Sequence, residues 1–175
     1  MSKKMGQASK KVGLEEKILT YFYEYPSKKV TVRELANITK ISRSTVQYYL
    51  NSLKKKNLIS KNNQSIDSWE NKWFKKCYYI QKIVQSGLVD YLDKELGASL
   101  VILFGSIAKG ESVRESDIDL FVECAQIKDL NLNEFEKKLG HKIQLFMKIK
   151  MSQLPENLYN NVLNGIKLKG YINPK

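Results

Sequence analysis

The sequence predicts an α+β protein with a helical N-terminal part and a C-terminal part holding a small mixed sheet with packed helices. Three observations carry this expectation. Residues 14–56 repeat apolar side chains at helical spacing between polar turns. Residues 99–104 and 117–122 are short apolar runs of strand type, the second broken by carboxylates at alternate positions. Charge divides the chain in the same place. The formal net charge is +12, and residues 1–82 hold 18 Lys/Arg against 6 Asp/Glu, whereas residues 83–175 hold 12 of each. The basic excess therefore belongs to the N-terminal part, where it suggests a polyanion partner.

A length of 175 residues accommodates one ordinary domain or two small ones. No apolar run approaches the roughly 20 residues needed to cross a bilayer, and the start, MSKKMGQASKK, has no apolar stretch of signal-peptide type. The expectation is a soluble cytoplasmic protein without a membrane partner. Cys77 and Cys124 lie in separate segments, and with the single His141 they do not make a Cys/His zinc site of the usual kind. They read as ordinary, partly buried thiols. His141, in the polar turn Leu-Gly-His-Lys, reads as solvated.

Residues 1–12 read as a basic disordered tail. Leu14, Ile18, Leu19 and Phe22 then mark a helix that ends at Pro26. Thr31-Val-Arg-Glu34 has the form of a capping box, opening a short helix to Thr39 with Leu35, Ala36 and Ile38 inward. After a tight turn at Lys40-Ile41, Ser42 can cap a helix from Arg43 to Lys56, with Val46, Leu50 and Leu53 in one stripe. Leu58 to Ile66 reads as a small hairpin around Lys61-Asn62-Asn63-Gln64.

Residues 13–68 so arranged resemble the winged helix-turn-helix regulators, with the hairpin as the wing. The resemblance implies binding to double-stranded DNA through residues 31–66. Arg43, Ser44, Thr45, Gln47 and Tyr48 would face outward at the start of the recognition helix. Arg and Gln suit bidentate base contacts, and Ser, Thr and Tyr suit phosphates. Lys54, Lys55, Lys56 and Lys61 would neutralise the backbone. A solvated helix face is the plain alternative, and winged helices also serve as dimerisation or protein-binding modules, so a homodimer is a further expectation.

Residues 69–82 read as a connecting helix, and the run to residue 96 as one long helix or two broken near Gly87. Its stripe of Trp69, Trp73, Cys77, Ile80, Val84, Leu88 and Leu92 is expected to be core, although Trp69 and Trp73 could stack on bases. Leu88 to Leu96 forms an amphipathic helix closed by Gly97.

The strand from Ser99 to Phe104 runs into Gly105-Ser106. Gly105 permits close backbone approach, and Ser106 adds a hydroxyl at an expected helix N-terminus suited to phosphate. Asp117 and Asp119 alternate with Ile118, Leu120 and Val122. On a strand that places both carboxylates on one face, their Cα atoms roughly 6.5 Å apart. Two like charges held side by side favour a hard cation, with substrate phosphate completing its shell.

Gly105, Ser106, Asp117 and Asp119 match the signature of Gly-Ser, ten residues, then Asp-x-Asp. Residues 83–175 thereby resemble the minimal nucleotidyltransferases of the DNA polymerase beta superfamily, including an Asn-Gly-Ile-Lys-Leu-Lys-Gly-Tyr segment like their closing strand. There Pro155 can start a helix and Gly165 can cap it. The resemblance implies that Gly105, Ser106 and Lys109 bind a nucleoside triphosphate. It implies that Asp117 and Asp119 hold Mg²⁺ or Mn²⁺ and act in catalysis. The implied activity is transfer of a nucleoside monophosphate to a hydroxyl of a protein or small molecule. Some relatives are antitoxins that modify a toxin's tyrosine, so a toxin-like protein partner belongs to the same expectation. One residue departs from the pattern. The family's third acid sits on the next strand, and Lys142-Ile143-Gln144-Leu145-Phe146 puts Gln144 there. Glutamine is neutral and takes no proton at physiological pH. Glu123 shares the face of the two aspartates but lies about 13 Å from Asp119 along the strand. Glu111 and Glu115 lie in the loop between the motifs. The alternative to an enzyme is a DNA-binding regulator or antitoxin whose degenerate transferase domain only binds nucleotide or a partner.

Overall fold

The computed structural model describes residues 2–172, with side chains from residue 13 onward. The tail expected over residues 1–12 lies outside the residues described with side chains. The chain divides into two compact units, Met1–Asn71 and Lys72–Lys175.

In the first unit, helices α1 (Ser2–Glu24), α2 (Val32–Thr39) and α3 (Arg43–Lys55) pack around Ile18, Phe22, Leu35, Val46, Leu50 and Leu53. Burying each such side chain contributes roughly 1.5–3 kcal/mol. The caps form as their residue types dictate. Glu34 N donates to Thr31 Oγ1 at 3.2 Å, and Thr31 N donates to Glu34 Oε2 at 2.8 Å. Thr45 N donates to Ser42 Oγ at the head of α3, at 3.3 Å. Ile38, expected inward, is 57% exposed. The buried face of α2 is instead Leu35, Ala36 and Thr39, because the Thr39 hydroxyl donates to Leu35 O at 2.7 Å and so enters the core satisfied.

The wing is a minimal hairpin, with Ile59 bridging Ser65 antiparallel and Ser60 N donating to Gln64 O. Buried Asn71 closes its base. Its Nδ2 lies 3.0 Å from Leu58 O, 3.0 Å from Ser65 Oγ and 2.8 Å from Ile66 O.

Helix α4 (Trp69–Ser86) is separated from α5 (Leu88–Leu96) at Gly87, where the break was expected. Its buried face differs from the expected stripe. Trp69, Trp73 and Val84 are 74%, 51% and 53% exposed, and Cys77 is exposed, whereas Lys75, Tyr79, Ile83 and Ser86 are buried. Hydropathy favours the wrong face here because two polar side chains are buried with backbone carbonyls as partners, one of them distant in sequence. Lys75 Nζ donates to Ser112 O, and Ser86 Oγ donates to Ile83 O at 2.6 Å.

The second unit continues through β1 (Ala98–Phe104), α6 (Gly105–Lys109), β2 (Ile118–Cys124), α7 (Asn133–Leu139), β3 (Ile143–Lys148), a 3₁₀ turn (Met151–Gln153), α8 (Glu156–Leu163) and β4 (Ile166–Gly170). Among the described residues the sheet order is β3-β2-β1-β4. β1 pairs antiparallel with β2 and β4, and β2 pairs parallel with β3, so the sheet is mixed as expected. Strand alternation gives it two dry faces. Val101, Leu103, Ile118, Leu120 and Val122 pack with Tyr79, Ile83, Leu88, Leu92 and Leu96. Leu100, Ile102, Phe104 and Phe121 pack under Met151, Leu154 and Val162. Pro155 precedes α8, but the C-cap is Asn164 rather than Gly165. Gly165 serves close packing instead, since a Cβ there would lie 2.6 Å from Leu103 O. No described helix is long and apolar enough to cross a membrane.

Candidate nucleotide site and DNA interface

The candidate nucleotide site forms at one end of the sheet, where β1 leaves and β2 and β3 enter. Phe104, the last residue of β1, is in register with Asp119 on β2, and Asp119 is in register with Gln144 on β3. Residues in register on neighbouring strands share a face, so Gln144 stands beside Asp119, where a third acid was expected. Asp117 immediately precedes β2 and is partly buried.

Gly105 begins α6 at φ +72. A Cβ at this position would overlap Asp119 Oδ2 and lie 2.9 Å from Asp119 Cγ. The bare glycine backbone thus brings the Gly-Ser turn against the carboxylate. Ser106, partly buried, follows in the first turn, which has no side-chain cap. Lys109 is exposed at the end of α6.

Burial, followed by the charge of Asp117, raises the carboxyl of Asp119 above the usual aspartate range. Neither aspartate accepts a hydrogen bond or pairs with a cation among the described residues, and no third His, Cys, Asp or Glu joins them in a cluster. The Lys142 ammonium lies near enough to Asp117 to act on it electrostatically, without an ion pair. Two adjoining carboxylates with no side-chain partner fit a divalent cation that takes its remaining ligands from phosphate and water. The other acids have separate structural tasks. Glu123 Oε2 accepts from Met151 N at 2.8 Å and its Oε1 from Ser99 Oγ at 3.2 Å. Glu111 pairs with Lys72 at 3.4 Å, and Glu115 is exposed.

Asp117 also borders an open groove of about 670 Å³, lined by Arg114, Ser116, Lys137, His141 and Lys142. His141 is buried, not solvated as expected. Its Nδ1 lies 2.7 Å from Ser116 O, and its ring packs edge-on against Tyr79, with centroids 5.3 Å apart. These contacts connect segments far apart in sequence, which hydropathy of the turn alone does not register. Cys77 and Cys124 take no part in the site, and Cys124 is buried.

On the first unit, Arg43, Ser44, Gln47 and Tyr48 are exposed on α3, and Thr45 is partly so. Ser42 Oγ engages Thr45 Oγ1 at 2.8 Å, and Gln47 Nε2 donates to Asn51 Oδ1 at 3.0 Å. Lys61 is exposed on the wing, whereas Lys54 is partly covered and Lys56 pairs with Glu15 at 2.7 Å. Asn71, which holds the base of the wing, carried no sequence signal because an isolated Asn in a helical run reads as surface.

Neither the curated proteins nor the solved structures contain a significant match to the chain. Two family models do match. Residues 18–64 match the MarR family, and residues 87–170 match the family described as polymerase beta, nucleotidyltransferase. With the winged-helix unit, the mixed sheet and the Gly-Ser and Asp-x-Asp residues already in place, the chain consists of a MarR-type winged-helix domain followed by a polymerase beta-type nucleotidyltransferase domain.

Proposed function

We propose that this protein is a DNA-binding regulator whose nucleotidyltransferase domain holds a nucleoside triphosphate with Mg²⁺ or Mn²⁺. The supporting observation is the adjoining pair of carboxylates, Asp117 and Asp119, with the Gly105-Ser106 turn packed directly against Asp119. In this reading Asp117 and Asp119 hold the cation, which neutralises phosphate charge when bound. Ser106 and the first-turn amides of α6 receive phosphate, with Lys109 available beside them. Gln144 carries no charge and accepts no proton, so the residue beside Asp119 supplies neither a third anionic ligand nor a base. Arg43, Ser44, Thr45, Gln47 and Tyr48 are the proposed DNA-reading side chains, and Lys54 and Lys61 the backbone contacts.

Calorimetric titration of the full chain with ATP, GTP, CTP and UTP, with and without Mg²⁺, tests the nucleotide part. Metal-dependent binding that disappears in Asp117→Ala/Asp119→Ala is expected. Binding of none of the four would end this reading.

A second reading keeps the transfer of a nucleoside monophosphate to a hydroxyl of a toxin-like protein or small molecule. It is favoured by the joint retention of Gly105, Ser106, Asp117 and Asp119. Label moved from a nucleoside triphosphate to an acceptor in cell extract, and lost in the double alanine variant, would select it.

A further inference from the structure

We infer that Lys75 is a positioning residue for the nucleotide–metal site, its buried ammonium fixing the loop of residues 111–116 that delivers Asp117. The inference rests on the proposed role of Asp117 and Asp119 in nucleotide binding. Strand pairing does not reach Asp117, because β2 begins at Ile118. The position of this carboxylate therefore depends on the preceding loop.

That loop is held to its surroundings at successive points. Gly110, at φ +76, lies so close to α4 that a Cβ would be 3.0 Å from Lys72 Cα. Lys72 pairs with Glu111, and Lys75 Nζ donates to Ser112 O. Val113 N donates to Ser116 Oγ at 2.9 Å, Arg114 to Gly140 O at 3.2 Å, and Ser116 O meets His141 Nδ1. Among these hydrogen bonds, the Lys75 contact is the one buried at both ends. Lys75 is 5% exposed and Ser112 is 0% exposed, with Ser112 Oγ lacking a hydrogen-bond partner among the described residues.

An ammonium is an expensive donor to bury for one carbonyl, and an apolar side chain of similar volume is often neutral or stabilising in its place. The gain from Lys75 is therefore conformational. It ties the middle of the loop to the rigid face of α4, next to Tyr79 and Ile83, and leaves Asp117 a short, constrained path into β2. Burial lowers the Lys75 ammonium to about 8, so at neutral pH it still carries its proton and its full donor set.

The test compares the full-length protein with Lys75→Met, and with Ile83→Val as a control for general core loosening. Without nucleotide, amide hydrogen exchange in Lys75→Met should rise by tenfold or more across residues 111–117 and stay unchanged in the β1 and α5 core. With Mg²⁺ and whichever of the four nucleoside triphosphates binds best, affinity should fall at least tenfold while the melting temperature holds or rises. The spectrum of Mn²⁺ in the nucleotide complex should change as its ligand geometry loosens. Ile83→Val should melt earlier with its affinity intact. Unchanged loop exchange, or unchanged affinity in Lys75→Met, would overturn the inference. If the wild type binds no nucleotide, the proposed function fails by itself, and the exchange measurement still decides whether Lys75 holds the loop.

Discussion

The Gly105 backbone lies against the Asp119 carboxylate so closely that the space a side chain at 105 would need is already taken by Asp119 Oδ2. Gly105→Ala therefore meets two penalties, overlap with the carboxylate and a φ of +72 that an L-residue resists. Either Asp119 or the Gly-Ser turn must move. The expected result is a loss of about 1–3 kcal/mol of stability and of Mg²⁺-dependent nucleotide binding, read by thermal melting and calorimetry. Wild-type affinity in this variant would show that the turn and the carboxylate act independently.

Asp119 provides a pH test with a definite sign. Its carboxyl is raised by burial and by Asp117, so the folded protein holds this proton more tightly than the unfolded chain does. Between the ordinary aspartate range and the raised folded value, the native state binds more protons, and stability falls as pH rises through that window. Asp119→Asn removes this slope. Without metal the variant should be at least as stable as wild type at pH 7, with the difference shrinking as pH falls through the window and levelling off below it. Adding Mg²⁺ should stabilise the wild type and leave the variant unchanged in thermal melts.

Gln144→Asp places a third carboxylate in register with Asp119. Without metal, three converging charges should lower the melting temperature, and Mg²⁺ or Mn²⁺ should restore it by more than in wild type. If the missing base is what holds back phosphoryl chemistry, transfer from labelled nucleoside triphosphate should rise by about 10²–10⁴-fold, the usual contribution of a positioned base. A variant that gains metal affinity but no transfer would place the deficit in the acceptor rather than in Gln144.

The proposed DNA-reading side chains should separate by salt dependence. Arg43→Ala with Gln47→Ala should lower affinity for a specific site by about 1–3 kcal/mol per lost bidentate contact and relax sequence preference. Lys61→Ala should weaken binding to all sequences and lower the salt slope by about 1. Lys56 is held by Glu15, so Lys56→Ala should change the slope less than Lys61→Ala. Binding isotherms at several salt concentrations check all three.

The architecture was legible where local rules and tertiary packing agree. The capping box at Thr31, the stripe of Val46, Leu50 and Leu53, the break at Gly87 and the spacing from Gly105 to Asp119 all declare themselves within a few residues. Legibility ended where a polar side chain is buried by a partner distant in sequence. Lys75 finds Ser112, 37 residues away, and His141 finds Ser116, 25 residues away. Asn71 finds Leu58, 13 residues away. Each looks solvated by type and is buried by contact. Hydropathy points to the other face of α4 for the same reason, since Trp69 and Trp73 outweigh Lys75 in hydropathy but not in fit. Helix α7 carries no clear sequence signal, its seven residues being mostly charged with Leu139 as the buried residue.

Lys75 also makes a prediction about stability alone. Its folded value of about 8 lies below the ordinary lysine value of 10.5. Below pH 8 the amine is charged in both folded and unfolded chains, and the desolvation penalty is present in full. Between pH 8 and 10.5 the unfolded chain binds more protons than the folded one, so this group's contribution to stability increases with pH. Integrated over the window, the effect is at most about 3 kcal/mol. Tyrosines and other lysines titrate in the same range, so the measurement is the difference between wild type and Lys75→Met in chemical denaturation at pH 7, 8, 9 and 10. The variant's advantage should be greatest at pH 7 and 8 and shrink toward pH 10, as the wild-type amine becomes neutral and its burial becomes less costly. A difference that stays constant with pH would mean that Lys75 titrates near the ordinary lysine value and is better hydrated than its 5% exposure implies.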